Sequence, residues 1–213
     1  MILRNIEIEY HKALLDLGFD PEIDGVDCLK QSTEIIASRI QTWSTMWTHR
    51  HDLVKKYSWA LPSLEALRTI AAEGPIVEMG AGGGYWAYLL RQLGVDIIAF
   101  DRSPGASYWS SHLWTKVEEG GPPILAKYPE RSLLLIWPPL DDEMEGDCLG
   151  FYEGDCVLYV GEVDGCTGDG SIFEQDKWSL DKTVEIPKFG GLHDNLHVFR
   201  RYSTIWESLE DEA

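Results

Sequence analysis

The stretch from Pro75 to Pro104, PIVEMGAGGGYWAYLLRQLGVDIIAFDRSP, restricts the fold more than any other part of the chain. Pro75, Ile76 and Val77 begin a short apolar run, which reads as a buried parallel strand. The run stops at Gly80-Ala81-Gly82-Gly83-Gly84. A helical pattern follows at once, with Trp86, Leu89, Leu90 and Leu93 at spacings that share one face. Gly94 supplies a C-terminal stop. A second apolar run, Val95 to Phe100, ends at Asp101. The succession strand, glycine loop, helix, strand is the first half of a doubly wound nucleotide-binding sheet.

The glycine spacing bears on which nucleotide. The dinucleotide fingerprint G-x-G-x-x-G fails from Gly80, where Tyr85 stands in place of the last glycine. From Gly82 it reaches Ala87, a permitted variant. A nicotinamide site therefore stays open, with Asp101 on a ribose hydroxyl and Arg102 able to meet a 2′-phosphate. A glycine-rich turn with no ligand is a third reading. The pattern E-x-G-x-G-x-G is filled completely by Glu78, Gly80, Gly82 and Gly84. In this it resembles the first motif of class I S-adenosylmethionine-dependent methyltransferases. A carboxylate two residues before the loop repels a pyrophosphate but suits a cofactor carrying an ammonium and a sulfonium.

The resemblance implies a seven-stranded doubly wound α/β sheet with an N-terminal helical extension. It also implies S-adenosyl-L-methionine as cofactor and a methyl transfer as the activity, with a catalytically silent binding or regulatory protein of the same fold as the alternative. It assigns the loop residues Glu78, Gly80, Ala81, Gly82, Gly84 and Tyr85 to the cofactor, and Asp101 with Arg102 to its ribose end. In that family the segment before the first strand folds over the cofactor, so Tyr57 and Trp59 join the expected site. By the same analogy an adenine contact belongs near the end of the third strand, expected over Trp114 to Val117, which makes Glu118 the candidate.

Ser132 to Trp137 reads as the fourth strand, followed by Pro138-Pro139-Leu140. Its carboxyl end belongs at the switch point where ligands bind. The W-P-P-L sequence resembles the D/N/S-P-P-Y/F/W motif of amino-methyltransferases, in which a polar side chain and a proline-adjacent carbonyl hold the target nitrogen. Trp137 replaces that polar residue here, so the resemblance implies Trp137 and Pro138 beside the methyl group without the usual side-chain acceptor. A fifth strand, Asp155 to Val160, leads into an acidic loop in which Glu162 and Asp164 can orient a cationic acceptor or take its proton. A helix is expected near Ile172 to Trp178, then strands over Thr183 to Pro187 and Asn195 to Tyr202 as the antiparallel sixth and seventh strands.

Upstream, residues 3–17 and the segment from about Lys30 to His51 have helical periodicity, the second carrying Trp43 and Trp47 on one face. Pro62 to Ala72 reads as a third helix with proline at its start and Gly74 past its end. The expected organisation is N-terminal helices and lid over 1–61 and the cofactor-binding domain over 62–213. The 213 residues suffice for a full core.

The net charge of −18 sets the chain against nucleic acid, whose binding rests on Lys and Arg neutralising phosphates. It favours a small-molecule acceptor, a cationic amine among the candidates. The four cysteines form no C-x-x-C pair and no Cys/His cluster has zinc spacing, so no metal is expected. Reduced thiols, Glu7 and Glu9 where a signal peptide would be apolar, and the lack of a long apolar run lead to the expectation of a cytoplasmic protein with no membrane contact. The sequence does not set the oligomeric state.

Overall fold

The computed structural model describes residues 50, 53–106, 110, 112–140, 142–163, 165–174, 177–188 and 192–202. The helices expected over 3–17 and 30–51 (Arg50 apart), Trp43, Trp47, Cys28, Asp164 and the acidic end 207–213 lie outside them.

A seven-stranded sheet runs in the order β3-β2-β1-β4-β5-β7-β6. Its strands are β1 (Ile76–Met79), β2 (Ile97–Asp101), β3 (Glu118–Glu119), β4 (Ser132–Ile136), β5 (Cys156–Gly161), β6 (Trp178–Glu185) and β7 (Asn195–Arg201). β1 to β5 are mutually parallel. β7 is antiparallel to both β5 and β6. The helices are α1 (Leu64–Ala72), α2 (Tyr85–Gln92), α3 (Met144–Phe151) and α4 (Ser171–Glu174), with a 3₁₀ turn over Pro122–Lys127. This is the expected doubly wound α/β sheet.

Period-two alternation divides the strands between two cores. Ile76, Ala99, Leu134, Leu158 and Val160 face one way and pack with Leu67 and Ile70 of α1 and with Trp86, Leu89 and Leu90 of α2. Val77, Met79, Phe100, Leu133, Leu135, Val157 and Tyr159 face the other way, against Leu125, α3 and α4. Strands buried on both faces read as near-continuous apolar runs, and Leu133-Leu134-Leu135 is fully buried. That requirement explains why β1, β4 and β5 are the strands most readable in the sequence. Deleting one such leucine to alanine typically costs about 2–5 kcal/mol.

Two local corrections follow from the same logic. The third strand is Glu118–Glu119 rather than Trp114 to Val117. Trp114 is instead spent on packing: its N–H meets Gly83 O at 2.8 Å, and its ring lies among Tyr57, Tyr85 and Tyr88. The sixth strand begins at Trp178, where the sequence suggested the end of a helix, and α4 is a single turn. β6 is an edge strand whose residues 180–183 are exposed. Only Trp178 and Val184 of its eight positions are buried, so its apolar signal is sparse.

β1 lies between β2 and β4, and the chain winds outward from it in both directions. The crevice beyond the carboxyl ends of β1 and β4 is thus the switch point, the place where open α/β sheets bind ligands.

Candidate functional site

A cleft of about 400 Å³ opens at that switch point. Its floor is the turn from β1 to α2. Gly80, Gly82 and Gly84 all have positive φ, +76°, +55° and +73°. An L side chain there costs roughly 1–2 kcal/mol. The turn is held from outside: Asp101 Oδ2 accepts the Gly82 N–H at 2.7 Å while Oδ1 accepts that of Ser103 at 2.7 Å. Ala81 N–H reaches Phe100 O at 2.9 Å. The strand-end carboxylate therefore orders the glycine loop as well as facing the cleft.

Gly83, an unspecified position in the motif, is the most enclosed of the set. A Cβ there would stand 2.3 Å from His112 O and 2.8 Å from Ser110 Oγ. At Gly82 the nearest neighbour of a Cβ would be Ser110 Cβ at 3.7 Å. Gly82 thus faces open cleft, and Gly83 faces the segment 110–114.

Glu78 is buried to 2 % exposure yet lines the cleft. Its Oε2 has no hydrogen-bond partner. Burial raises its pKa from 4.5 to about 8, with Arg91 opposing and Asp101 adding to the rise. A buried, unsatisfied acceptor costs free energy unless a ligand completes it.

The roof is the segment 57–61. Trp86 Nε1 donates to Ser58 Oγ and Ala60 O, each at 3.1 Å. Trp114 Nε1 donates to Lys56 O at 2.7 Å. Tyr57 stacks on Trp114 at 5.5 Å and meets Tyr85 edge-on at 5.3 Å.

The far wall is the end of β4. Trp137 holds φ +51°, the one non-glycine residue with positive φ among the described residues. Its indole lies parallel to that of Trp59, 4.9 Å between centroids and 7° between planes. Its Nε1 donates to Asp194 Oδ1 at 2.8 Å. Asp194 is 1 % exposed, and burial pushes its carboxyl up to about 6. The Arg50 guanidinium carbon sits 4.9 Å from both indole centroids.

The cleft therefore brings together Tyr57, Trp59, Glu78, Gly80, Ala81, Gly82, Tyr85, Asp101, Arg102, Trp137 and Pro138. Three sequence candidates stand outside its lining. Gly84 caps α2, where a Cβ would meet Val117 Cγ2 at 2.7 Å, so it serves the turn. Glu118 is exposed and pairs with Lys116 at 2.6 Å. Glu162 organises its own loop, accepting from Cys166 N at 3.2 Å, Cys166 Sγ at 3.1 Å, His193 N and His193 Nδ1. Burial raises the Glu162 pKa, but these hydrogen bonds outweigh it and leave the carboxyl below its ordinary range.

Sequence reasoning missed Ser110, Gly120, Gly121, Asp142 and Met144, which also line the cleft. Gly120-Gly121 was the available signal: Gly120 N–H binds Asp101 O at 2.9 Å, and a Cβ at Gly120 would meet the Phe100 ring at 2.9 Å. Asp194, which fixes Trp137, had no local signal at all.

No helix among the described residues is long and apolar enough to cross a membrane. No family model matches the sequence, and no curated protein does. Solved structures do. One, of an enzyme described for the conversion of a disulfide bond into a thioacetal group during echinomycin biosynthesis, is 14% identical, with 71% of this chain and 88% of that chain covered and a TM-score of 0.43. Another, magnesium protoporphyrin IX methyltransferase from Synechocystis PCC 6803 with bound SAM, is 12% identical, covering 87% and 91%, also at 0.43. With the seven-stranded order, the antiparallel last strand and the E-x-G-x-G-x-G turn at the switch point together, the chain has the fold of the class I S-adenosylmethionine-dependent methyltransferases.

Proposed function

We propose that this protein binds S-adenosyl-L-methionine in the switch-point cleft and transfers its methyl group to a small-molecule acceptor in the cytoplasm. The observation that carries this reading is Glu78: a carboxyl buried at the cleft floor, with one oxygen lacking any partner. A pyrophosphate would keep that carboxyl protonated and supply no donor. An ammonium or a ribose hydroxyl would supply the missing donor.

The residues fit such a ligand throughout. Gly80 and Gly82 let the backbone come close. Asp101 retains acceptor capacity beyond its two backbone bonds for ribose hydroxyls. Tyr57, Trp59 and Tyr85 cover the cleft and exclude water. When bound, the cofactor supplies an electrophilic methyl on a sulfonium. The chain's own contribution is orientation: holding acceptor and methyl in line can be worth ~7–11 kcal/mol in well-aligned systems.

The test is calorimetry with S-adenosylhomocysteine. The expected outcome is saturable binding with a rise in melting temperature, since a ligand of the folded state alone stabilises it. No heat and no thermal shift at millimolar ligand would refute the cofactor. An acceptor screen with labelled cofactor then tests turnover.

A further inference from the structure

The end of β4 lacks the polar side chain that the amino-methyltransferase motif uses to hold a nitrogen. Trp137 has no acceptor on its side chain, and its one donor, Nε1–H, is committed to Asp194 at 2.8 Å. The Pro138 carbonyl accepts the Gly168 N–H at 2.9 Å. Asp142, in the lining beyond the prolines, accepts the Met144 N–H at 3.0 Å and is open to water.

What the wall offers is a pair of aligned indoles. Trp59 and Trp137 both line the cleft, both half-buried, their planes 7° apart. Three contacts hold them: their mutual stacking, the Asp194 bond, and Arg50 beside both rings. Rings restrained in this way lose little freedom on meeting a flat partner, which lowers the ordering cost of binding. Aromatic groups prefer offset or edge-on neighbours at such centroid distances.

We infer that the acceptor end of the cleft takes a flat aromatic group lying against the Trp59–Trp137 pair, rather than an amine held by polar groups. This rests on the cofactor cleft proposed above and names the acceptor class for it.

The experiment uses the full chain, first titrated with S-adenosylhomocysteine and then, saturated with it, with 2-naphthol or with cyclohexylamine, a non-aromatic amine of similar bulk. Calorimetry and tryptophan fluorescence read both steps. The expected result is that 2-naphthol binds and cyclohexylamine binds at least about tenfold more weakly. Trp59→Leu, which keeps apolar area but no ring, weakens 2-naphthol by about tenfold or more, and Trp59→Phe recovers most of the loss. If Trp59→Leu does not fold, Trp137→Leu is measured in its place. The inference is overturned if the amine binds as well as 2-naphthol, if the folded leucine variant binds 2-naphthol like the wild type, or if 2-naphthol does not bind at all. Failure of S-adenosylhomocysteine to bind would instead refute the cofactor reading, and the probe comparison would then be made on the unliganded protein.

Discussion

Two adjacent parallel strands, β1 and β4, end in left-handed backbone, and they reach it by opposite means. After β1 the chain uses Gly80, Gly82 and Gly84, residues for which positive φ carries no steric cost. After β4 it uses Trp137, a bulky residue for which that conformation is an outlier. At the first turn, on the function proposed above, the backbone itself approaches a ligand, so side chains are absent. At the second a large side chain must face the cleft, and the strain is offset by stacking on Trp59 and the bond to Asp194. Strain held by well-packed surroundings is a recurrent feature of functional sites.

The strongest way to break this comparison is Gly82→Val. The new side chain has room in the fold but points into the cleft. S-adenosylhomocysteine affinity should fall by more than about 100-fold, roughly 2.7 kcal/mol, while stability to denaturant falls only by about 1–2 kcal/mol. Normal binding by the folded variant, measured by calorimetry, would remove the glycine loop from the site.

Gly83→Ala should show the reverse balance. Its Cβ meets a carbonyl oxygen and a hydroxyl, and overpacking of this kind costs about 1–3 kcal/mol. Denaturant melts should show the loss, with the folded fraction still binding ligand. Asp101→Ala comes next, weakening binding by roughly 1.5–3 kcal/mol, the worth of hydrogen bonds to a charged group. Unchanged affinity in the folded variant would exclude Asp101 as a ribose ligand.

Glu78 gives a pH signature. A carboxyl raised to about 8 in the fold keeps a proton that the unfolded chain releases near its ordinary 4.5. Its contribution to stability is complete below 4.5 and is lost as pH rises through about 8. A ligand that prefers the carboxylate should therefore bind more tightly as pH rises from 6 to 8. Calorimetry in two buffers of different ionisation heat should show proton release on binding. Glu78→Gln should flatten both dependences.

The smallest effect sharpens the β4 side. Both Trp137→Ala and Trp137→Gly lose the indole. Only glycine also relieves the positive φ, so it should be the more stable of the two by about 1 kcal/mol. Equal melting midpoints would mean that the turn relaxes once the ring is gone.

Legibility in the sequence followed burial and range. β1, β2, β4 and β5 were readable because a two-sided core demands near-continuous apolar runs, and α2 because its apolar positions recur on one face. β3 was misplaced because Trp114 and Val117 pack as cluster residues without joining the sheet. The β1–α2 end of the cleft was legible because Glu78 to Asp101 is one local unit. The β4 end was not, since it joins Arg50 and Trp59 to Trp137 and Asp194 across three regions far apart in sequence. For Glu162 the sequence shows a charge but not the Cys166 and His193 donors that its carboxylate accepts from.

Trp86 is the second residue of α2, the helix that begins at the glycine turn, and its indole N–H also fastens the segment over the cleft at Ser58 and Ala60. Floor and roof are thus riveted to the same helix. If α2 slides along its axis to admit a ligand, both surfaces travel with it and the gap between them keeps its height. Adjustment to ligands of different size must then come from the side, where Trp137 and the loop after β4 close the gap.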